Sequence, residues 1–130
     1  MATLKESVYT LLNDDATLRI LLGYNATTKP RCVFWQMPPK TPAIPLVTYF
    51  IGSQLMYKPR QVVFNITAWG SNYEAVQDRI FDMLHKQLAI TASDYSFKGM
   101  LFDGAGPELY DEDLRVPYCQ HRYRAYAWKT

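Results

Sequence analysis

Cysteine and histidine are scarce in this chain, whose 130 residues include two of each. They are Cys32, His85, Cys119 and His121, and they lack the close spacing that a structural zinc site requires. Cys119 and His121 lie two residues apart on a predicted strand, so both occupy one face and a nucleophile–base pair is geometrically possible. That face continues with Tyr123 and two alanines, which is typical of sheet packing. We therefore expect no metal, no cofactor and no enzymatic activity.

Glycine is also sparse, with six residues, and no phosphate-binding loop is present in the sequence. The segment 104–107 reads Gly-Ala-Gly-Pro, which lacks the third glycine of a dinucleotide-binding turn, and no helical pattern follows it closely. Asp111, Glu112 and Asp113 are adjacent, but the glycine and the later glutamate of an EF-hand loop are missing. The sequence therefore favours a solvated acidic loop over a divalent-cation site.

Neither the net charge nor the hydropathy singles out nucleic acid or membrane as a partner. A formal charge of +2 is too small to predict nucleic-acid binding by itself. No apolar run approaches the length of a membrane span, and the first residues do not form a signal peptide. We expect a protein that is made in a cytoplasm, with both cysteines reduced. The charges are segregated, however: Asp103 to Asp113 contains acids alone, and the residues after Asp113 contain bases alone.

Aromatic residues are abundant by contrast and make up 15% of the chain. Their rings combine an apolar body with a polar group in Tyr and Trp, so an excess is typical of an interface. It is equally typical of a sheet-rich fold with large strand residues, and the composition alone leaves both interpretations open. A length of 130 residues and a hydrophobic content of 48% predict one globular domain that covers residues 1–130.

The clearest local pattern runs from Gln61 to Leu88. Residues 61–69 alternate between two faces, with Val62, Phe64 and Ile66 on one of them, which predicts a strand. The sequence Ser-Asn-Tyr-Glu at 71–74 is a capping box and predicts a helix that starts at residue 71. An apolar stripe at helical spacing, expected to face the sheet, consists of Tyr73, Val76, Ile80, Met83, Leu84 and Leu88.

The remaining elements are predicted by similar signals. A capping box at 3–6 opens one N-terminal helix, and Asp15 can cap a short second helix that Gly23 ends. Four prolines within 38–45 indicate a stiff, extended segment, which is either a docking arm or a plain crossover loop. Strands are predicted at 31–37, 46–51, 96–102 and 117–128, and a hairpin or longer loop at 52–60.

These elements predict an α+β fold. We expect an antiparallel sheet of four to five strands packed against one long helix, with one or two N-terminal helices. The predicted core consists of Leu4, Val8, Leu11, Leu18, Val62, Phe64, Ile66, Val76, Ile80 and Leu84.

Six short motifs follow one another in a characteristic order. They are the helix Leu4–Leu12, Asp15–Leu18 leading into Leu21–Gly23, the proline-rich segment Pro42–Tyr49, a strand that ends near Ala68 and Trp69, the helix start Ser71–Ala75, and the closing strand with Arg122, Tyr123 and Arg124. In this order they resemble the tail-terminator, or tail-completion, proteins of long-tailed bacteriophages and their prophage relatives. The resemblance covers nearly the whole chain but excludes segments 52–60 and 103–113.

The resemblance implies a structural virion protein that binds the end of the tail tube, stops its polymerisation and offers a surface to the head. Such proteins act as hexameric rings around the DNA channel. The implied partners are copies of the chain itself, the tail tube protein, and a head-completion or connector protein, while genomic DNA passes through without sequence-specific binding. The implied location is the head-proximal end of the virion tail, after synthesis in the host bacterial cytoplasm and without a membrane.

In a ring, neighbouring subunits would also bury the apolar residues of the loops, because head-to-tail contacts join different surfaces of adjacent subunits. The residues expected at the oligomer or tail-tube interface are Met37, Ile44, Leu55, Met56, Tyr57 and Arg60. Asp111, Glu112 and Asp113 are expected to line the channel, where their charge repels DNA phosphates and lets the genome slide.

A nucleic-acid-binding module is the alternative to a virion protein. The closing strand offers cations and stacking rings in Arg122, Tyr123, Arg124, Tyr126 and Trp128. The low net charge and the acidic segment immediately before this strand argue against that function.

Overall fold

The part of the chain that the structure describes contains three helices and seven strands. This computed structural model describes residues 3–40, 42–54, 60–92 and 94–129. The helices are α1 (Leu4–Asn13), α2 (Ala16–Leu21) and α3 (Tyr73–Leu84). The strands are β1 (Val33–Trp35), β2 (Leu46–Gln54), β3 (Arg60–Trp69), β4 (Gln87–Ala92), β5 (Tyr95–Ala105), β6 (Leu109–Asp111) and β7 (Val116–Lys129). Within the described ranges, the helices are too short or too polar to cross a membrane.

All seven strands belong to one mixed sheet. Its spatial order is β1-β2-β3-β7-β5-β4, and β6 pairs with the N-terminal end of β7. The β1–β2 pair is parallel and the other pairs are antiparallel. α3 packs on β3, β5 and β7, whereas α1 contacts both β1 and β4, which lie at opposite ends of the strand order. The sheet therefore curves around the helices, and α1 lies across its open side.

The expected fold class is wrong. Instead of four to five antiparallel strands against one long helix, the chain forms a seven-stranded mixed sheet. Strands account for 47% of the structure and three short helices for 24%. The short strand β6 and the edge strand β4 are the additions, whereas β1 lies within the strand predicted at 31–37. The parallel β1–β2 pair makes the sheet mixed.

The junction between α3 and β4 explains why the strand β4 was not predicted. The helix that was predicted to reach Leu88 ends at Leu84, because His85 is extended and Lys86 has a left-handed φ of 61°. Residues 87–92 then form β4, and Leu88 is 87% exposed rather than part of a helical stripe. The spacing of four residues between the two leucines fits a helical turn and also fits the period of two in a strand.

The start of α3 also differs from the prediction. The residue before the helix is Asn72, which makes no side-chain capping bond, and its amide instead donates to the carbonyl of Leu21 at 2.9 Å. The capping box predicted from Ser71 is therefore wrong, and the side chain before α3 serves to hold α2. For α1, the Thr3 cap of the predicted capping box is confirmed, since Thr3 Oγ1 accepts a hydrogen bond from the N–H of Glu6 at 3.2 Å.

The core lies between the helices and the inner face of the sheet, defined as the face that α3 covers. Phe64 and Phe97 meet there edge to face, with ring centroids 5.4 Å apart. Gln77 is the buried polar residue of α3, and its Nε2 donates to the carbonyls of Ile66 at 3.0 Å and Cys119 at 2.8 Å. This amide joins α3 to β3 and β7. Of the ten predicted core residues, nine are buried and one is half-buried against them, namely Leu4, Val8, Leu18, Val62, Phe64, Ile66, Val76, Ile80 and Leu84, with Leu11 half-buried.

Gly70 makes the corner between β3 and α3. Its φ is 144°, and a Cβ at this position would lie 2.9 Å from Cβ of Pro45. We expect Gly70→Ala to lower the free energy of unfolding by about 2–4 kcal/mol, since backbone strain and a close contact add. Gly99→Ala is the matched control, because φ is 62° there but nothing lies within 4 Å; it should cost about 1–2 kcal/mol. Urea unfolding measures both, and equal losses would contradict a contribution from the contact.

Asp15 links α2 to α3. Its Oδ2 accepts from the N–H of Leu18 at 2.8 Å, which confirms the predicted cap of α2. The same carboxylate accepts two hydrogen bonds from Arg79 of α3, at 2.7 and 2.9 Å. The hydrogen-bonded guanidinium lowers the pKa of Asp15 from its usual value, against the raising effect of burial.

The lowered pKa of Asp15 predicts an acid-sensitive contact between α2 and α3. The charged carboxylate stabilises the fold above its unfolded pKa of about 3.9, and this contribution is lost as pH falls through the lower folded value. We expect Asp15→Asn to be less stable than wild type at neutral pH and to lose less stability on acidification. Urea unfolding between about pH 6 and pH 2.5 measures the difference. Asp14→Asn, at a more exposed neighbour, is the control and should follow the wild-type profile.

Candidate functional site

Most rings and cations of the closing strand lie on the outer face of the sheet, defined as the face opposite the helices. Tyr123, which the predicted nucleic-acid surface included, is instead fully buried on the inner face. On β7 this face carries Tyr118, Gln120, Arg122, Arg124, Tyr126 and Trp128, and the alternate residues from Cys119 to Ala127 point to the inner face. Asn65, Thr67 and Trp69 of β3 lie on the outer face too, since directly paired residues of neighbouring strands share a face. The outer face thus collects side chains from segments that are far apart in sequence.

At one end of the outer face, rings and amides are engaged with each other. Trp69 stacks on Tyr118, with centroids 4.3 Å apart and planes inclined by 20°. Trp69 Nε1 also donates to Thr48 Oγ1 at 2.9 Å. Next to this stack, Gln120 Nε2 donates to Asn65 Oδ1 at 3.0 Å. These contacts hold three strands together and leave the two rings covered by one another.

The middle of the outer face is grooved and polar. Arg122 lies there, with its Nε 3.2 Å from Asp103 Oδ2, so its charge is balanced. Grooves of about 380 and 470 Å³ flank Arg122 and Asn65. The other lining residues are Gly104–Pro107, Leu109, Tyr118 and Gln120 in the first groove, and Phe50, Gly52, Val63 and Asp103 in the second.

The far end of the outer face is exposed. Tyr126 is 48% exposed and Leu101 is 38% exposed, and Lys98 Nζ lies 4.7 Å above the ring of Trp128. Arg124 is exposed and forms no ion pair with any of the described carboxylates. An exposed tyrosine beside an arginine outside any described ion pair has the composition of protein interfaces.

The three adjacent acids lie at the tip of the β6–β7 hairpin. Asp111 ends β6, and its Oδ1 accepts from the N–H of Leu114 at 2.9 Å, so it shapes the turn. Glu112 and Asp113 are exposed and pair with no described cation. One of the three acids therefore has a structural task, and the other two present their charge to solvent.

The predicted interface residues are placed at different parts of the chain. Met37 follows β1 and is 74% exposed. Ile44 is half-buried, and its Cγ2 would lie 3.3 Å from a Cβ on Gly70, so it packs beside the corner before α3. Arg60 begins β3 at the end of the sheet. The remaining three, Leu55, Met56 and Tyr57, lie outside the described residues.

Cys119 and His121 lie on the inner face, in surroundings that stabilise their neutral forms. The thiol of Cys119 donates to the carbonyl of Gly106 at 3.4 Å, and burial raises its pKa. Burial also lowers the pKa of His121, although the negative charge of Asp78 acts to raise it. An activated cysteine needs a thiolate with a lowered pKa, usually beside a cationic imidazole. The two residues lack that arrangement and belong to the packing of β7.

A second concave surface, here called the α1–β4 groove, lies between the C-terminal end of α1, α3 and β4. Its volume is about 630 Å³, and its lining residues are Thr10, Leu11, Asp14, Asp15, Arg79, Asp82, Met83, Gln87, Ile90, Thr91 and Ala92. Sequence reasoning missed this groove because it assigned the start of β4 to the helix. The signal that identifies β4 is the uncharged run Gln87–Ala92 directly after the helical pattern.

Comparisons with known proteins bear on the fold. No protein-family model matches the chain, and no curated protein is similar enough to count as a match. A solved structure described as the virion of a native gene transfer agent particle contains a chain with a TM-score of 0.64 to this one. The two chains share a fold. The likeness covers 95% of this chain and 93% of that chain at 20% sequence identity, and at this identity it extends to the fold alone.

Proposed function

We propose that this chain is a structural protein of a phage-like virion that caps the end of the tail tube, stops its polymerisation and forms the surface where head and tail join. The observation that carries the proposal is the fold shared, nearly from end to end, with a chain of a gene transfer agent virion. The order of motifs that resembles tail terminators narrows the virion role to capping of the tube. An exposed, interface-like outer face is what such a role requires.

The protein acts in this proposal as a ring of identical subunits, a hexamer, each formed by one domain of residues 1–130. A head-to-tail contact joins two different patches and closes into a ring when the rotation between subunits allows it. The contacts between subunits or with the tail tube come from Met37, Ile44, Leu55, Met56, Tyr57 and Arg60. The open end of the outer face, with Arg124 and Tyr126, is a further contact surface suited to the tube or to a head-completion or connector protein.

The acidic turn at the tip of the β6–β7 hairpin lines the channel in this proposal. Glu112 and Asp113 are exposed at the tip, and Asp111 holds the turn. Negative charge around a channel repels DNA phosphates, so the genome passes without being bound. The protein is then made in the host cytoplasm and assembled at the head-proximal end of the tail.

Particle mass and tube length test the proposed function together. We expect light scattering to detect a species near six times the subunit mass of 15.1 kDa, in free solution or after addition of the tail tube protein. Added during tube polymerisation, the protein should stop growth, so that electron microscopy records shorter tubes. A protein that remains monomeric with the tube protein present and leaves tube length unchanged would rule out capping.

A nucleic-acid-binding module is the second candidate, since Lys98, Arg124 and Tyr126 lie together at the open end of the outer face. Against it, Arg122 is paired with Asp103, and the Trp69 ring is already stacked within the chain. A binding titration with single-stranded DNA discriminates the two functions. The module predicts an affinity that falls steeply with salt and depends on the arginines, whereas the virion protein predicts neither.

A further inference from the structure

We infer that the α1–β4 groove receives residues 55–59 of a second copy of this chain. The inference rests on the proposed ring, for which it names the two surfaces that meet at each subunit contact. The groove combines two features of a docking site. Its apolar part consists of the half-buried side chains of Leu11, Met83 and Ile90, and its acidic rim includes Asp14 and Asp82.

One wall of the groove offers backbone hydrogen bonds as well. Among the described strands, β4 pairs with β5 alone, so alternate N–H and C=O groups of its other edge point away from the sheet. The strand reads Gln-Leu-Ala-Ile-Thr-Ala, without charge or proline, and Leu88 is 87% exposed. Edge strands that must stay unpaired usually carry charges, prolines or bulges. This edge lacks charges and prolines, so it is suited to pairing with an extended segment of another chain.

The segment 55–59 has the chemistry that the groove complements. Its sequence is Leu-Met-Tyr-Lys-Pro, so three apolar side chains precede one cation. The apolar side chains match the apolar part of the groove, and Lys58 matches the acidic rim. Asp82 is exposed and forms no ion pair with the described cations, while Asp14 has a long contact of 3.9 Å with Arg19. A cation from another chain therefore finds a carboxylate that is free to pair.

The reach of the segment indicates that a different copy supplies it. Both ends are fixed, at Gln54 and Arg60, so a tip of five residues extends at most about 11 Å from the strand ends. In the sheet, Arg60 pairs with Ala127, which pairs with Phe97. Phe97 in turn pairs with Ile90, so β3 and the groove are three strand spacings apart, or about 14 Å. Strands β7 and β5 lie between them.

Exchange of charges between the two surfaces tests the contact. Asp82→Lys and Lys58→Glu should each raise the dissociation constant of the ring about tenfold or more, because like charges then face each other. The combination of both substitutions should restore most of the affinity, since the pair is re-formed with opposite signs. Asp78→Lys is the matched control, because Asp78 is exposed one turn earlier on α3 but does not line the groove. Sedimentation or light scattering at low salt gives the dissociation constants.

Cross-linking of mixed variants locates the contact directly. Tyr57→Cys and Gln87→Cys are prepared as separate proteins, mixed under conditions that give the ring, and treated with a short bismaleimide. A covalent dimer that forms in the mixture, but not in either protein alone, is the expected result. A ring of normal mass without this cross-link, or with Asp82→Lys as stable as Asp78→Lys, would overturn the inference and leave the proposed function standing. Cross-linking to the tube protein instead would also overturn it, and absence of any ring would contradict the proposed function itself.

Discussion

Replacement of both Met56 and Tyr57 by aspartate should abolish ring assembly and leave the fold intact. Each apolar side chain buried at a contact contributes about 1.5–3 kcal/mol, and an aspartate in its place loses hydration as well. A combined loss above about 4 kcal/mol weakens association at least about a thousandfold. The described core is built from other segments, so circular dichroism and the urea midpoint should stay near the wild-type values. Light scattering gives the mass of the assembled species.

Ile20→Asp is the control for this pair of substitutions. Ile20 lies on α2 and is 80% exposed, so the change also places an acid at an exposed apolar site, but outside the proposed contacts. Assembly should persist in this variant. A double variant at 56 and 57 that still forms rings of normal mass would exclude these residues from the subunit contact. Loss of assembly in the Ile20 variant as well would attribute the effect to surface charge in general.

Alternation within strands was the part of the fold that could be read from the sequence. The period of two at 61–69 identified β3, and Val62, Phe64 and Ile66 lie together on its inner face. Alternation also places Arg122, Arg124, Tyr126 and Trp128 of β7 on one face, because a strand points successive side chains to opposite faces. Tyr123, which the predicted nucleic-acid surface grouped with them, is buried on the other face. These patterns are local, so the sequence of a single segment is enough to predict each strand and its two faces.

The junction of α3 and β4 could not be predicted in the same way. Leu84 and Leu88 have a spacing that fits both helix and strand, and no glycine marks the end of the helix. The chain stops the helix with Lys86, whose φ of 61° is uncommon for a residue with a side chain. The tertiary pairing of β4 with β5 determines this outcome, and the sequence of either segment does not reveal it. The error then removed β4 from the predicted sheet and, with it, one wall of the α1–β4 groove.

The candidate surfaces depend on strand register, which composition and spacing do not encode. Arg122 was predicted as an exposed cation, but pairing of β5 with β7 brings Asp103 to within 3.2 Å of it. The register of β3 against β7 likewise brings Trp69 beside Tyr118, and the two rings cover each other. Sequence reasoning therefore identified the residue types of the outer face and missed which of them are already paired. Arg124 remains unpaired because no described acid is opposite it.

Charge reversal at the acidic turn should block passage of the genome without disturbing assembly. Glu112→Lys combined with Asp113→Lys changes the charge by four units per subunit, and Asp111 is retained because its carboxylate accepts the Leu114 N–H that shapes the turn. A channel lined by lysines would bind DNA phosphates instead of repelling them, so we expect particles that assemble but release DNA more than about tenfold more slowly. The purified ring should also acquire an affinity for DNA that falls steeply as salt is raised.

A neutral variant separates lost repulsion from new attraction. Glu112→Gln combined with Asp113→Asn removes the negative charge at the same two positions without adding a positive one. If the acids act by repulsion, this variant should slow DNA release only modestly, because neutral side chains neither repel nor hold phosphates. Rings of normal mass that release DNA at the wild-type rate with lysine at both positions would place the turn away from the channel. Another surface would then line the bore of the ring. The outer face would be the next surface to test, by Arg124→Glu, because the charge of Arg122 is already balanced by Asp103.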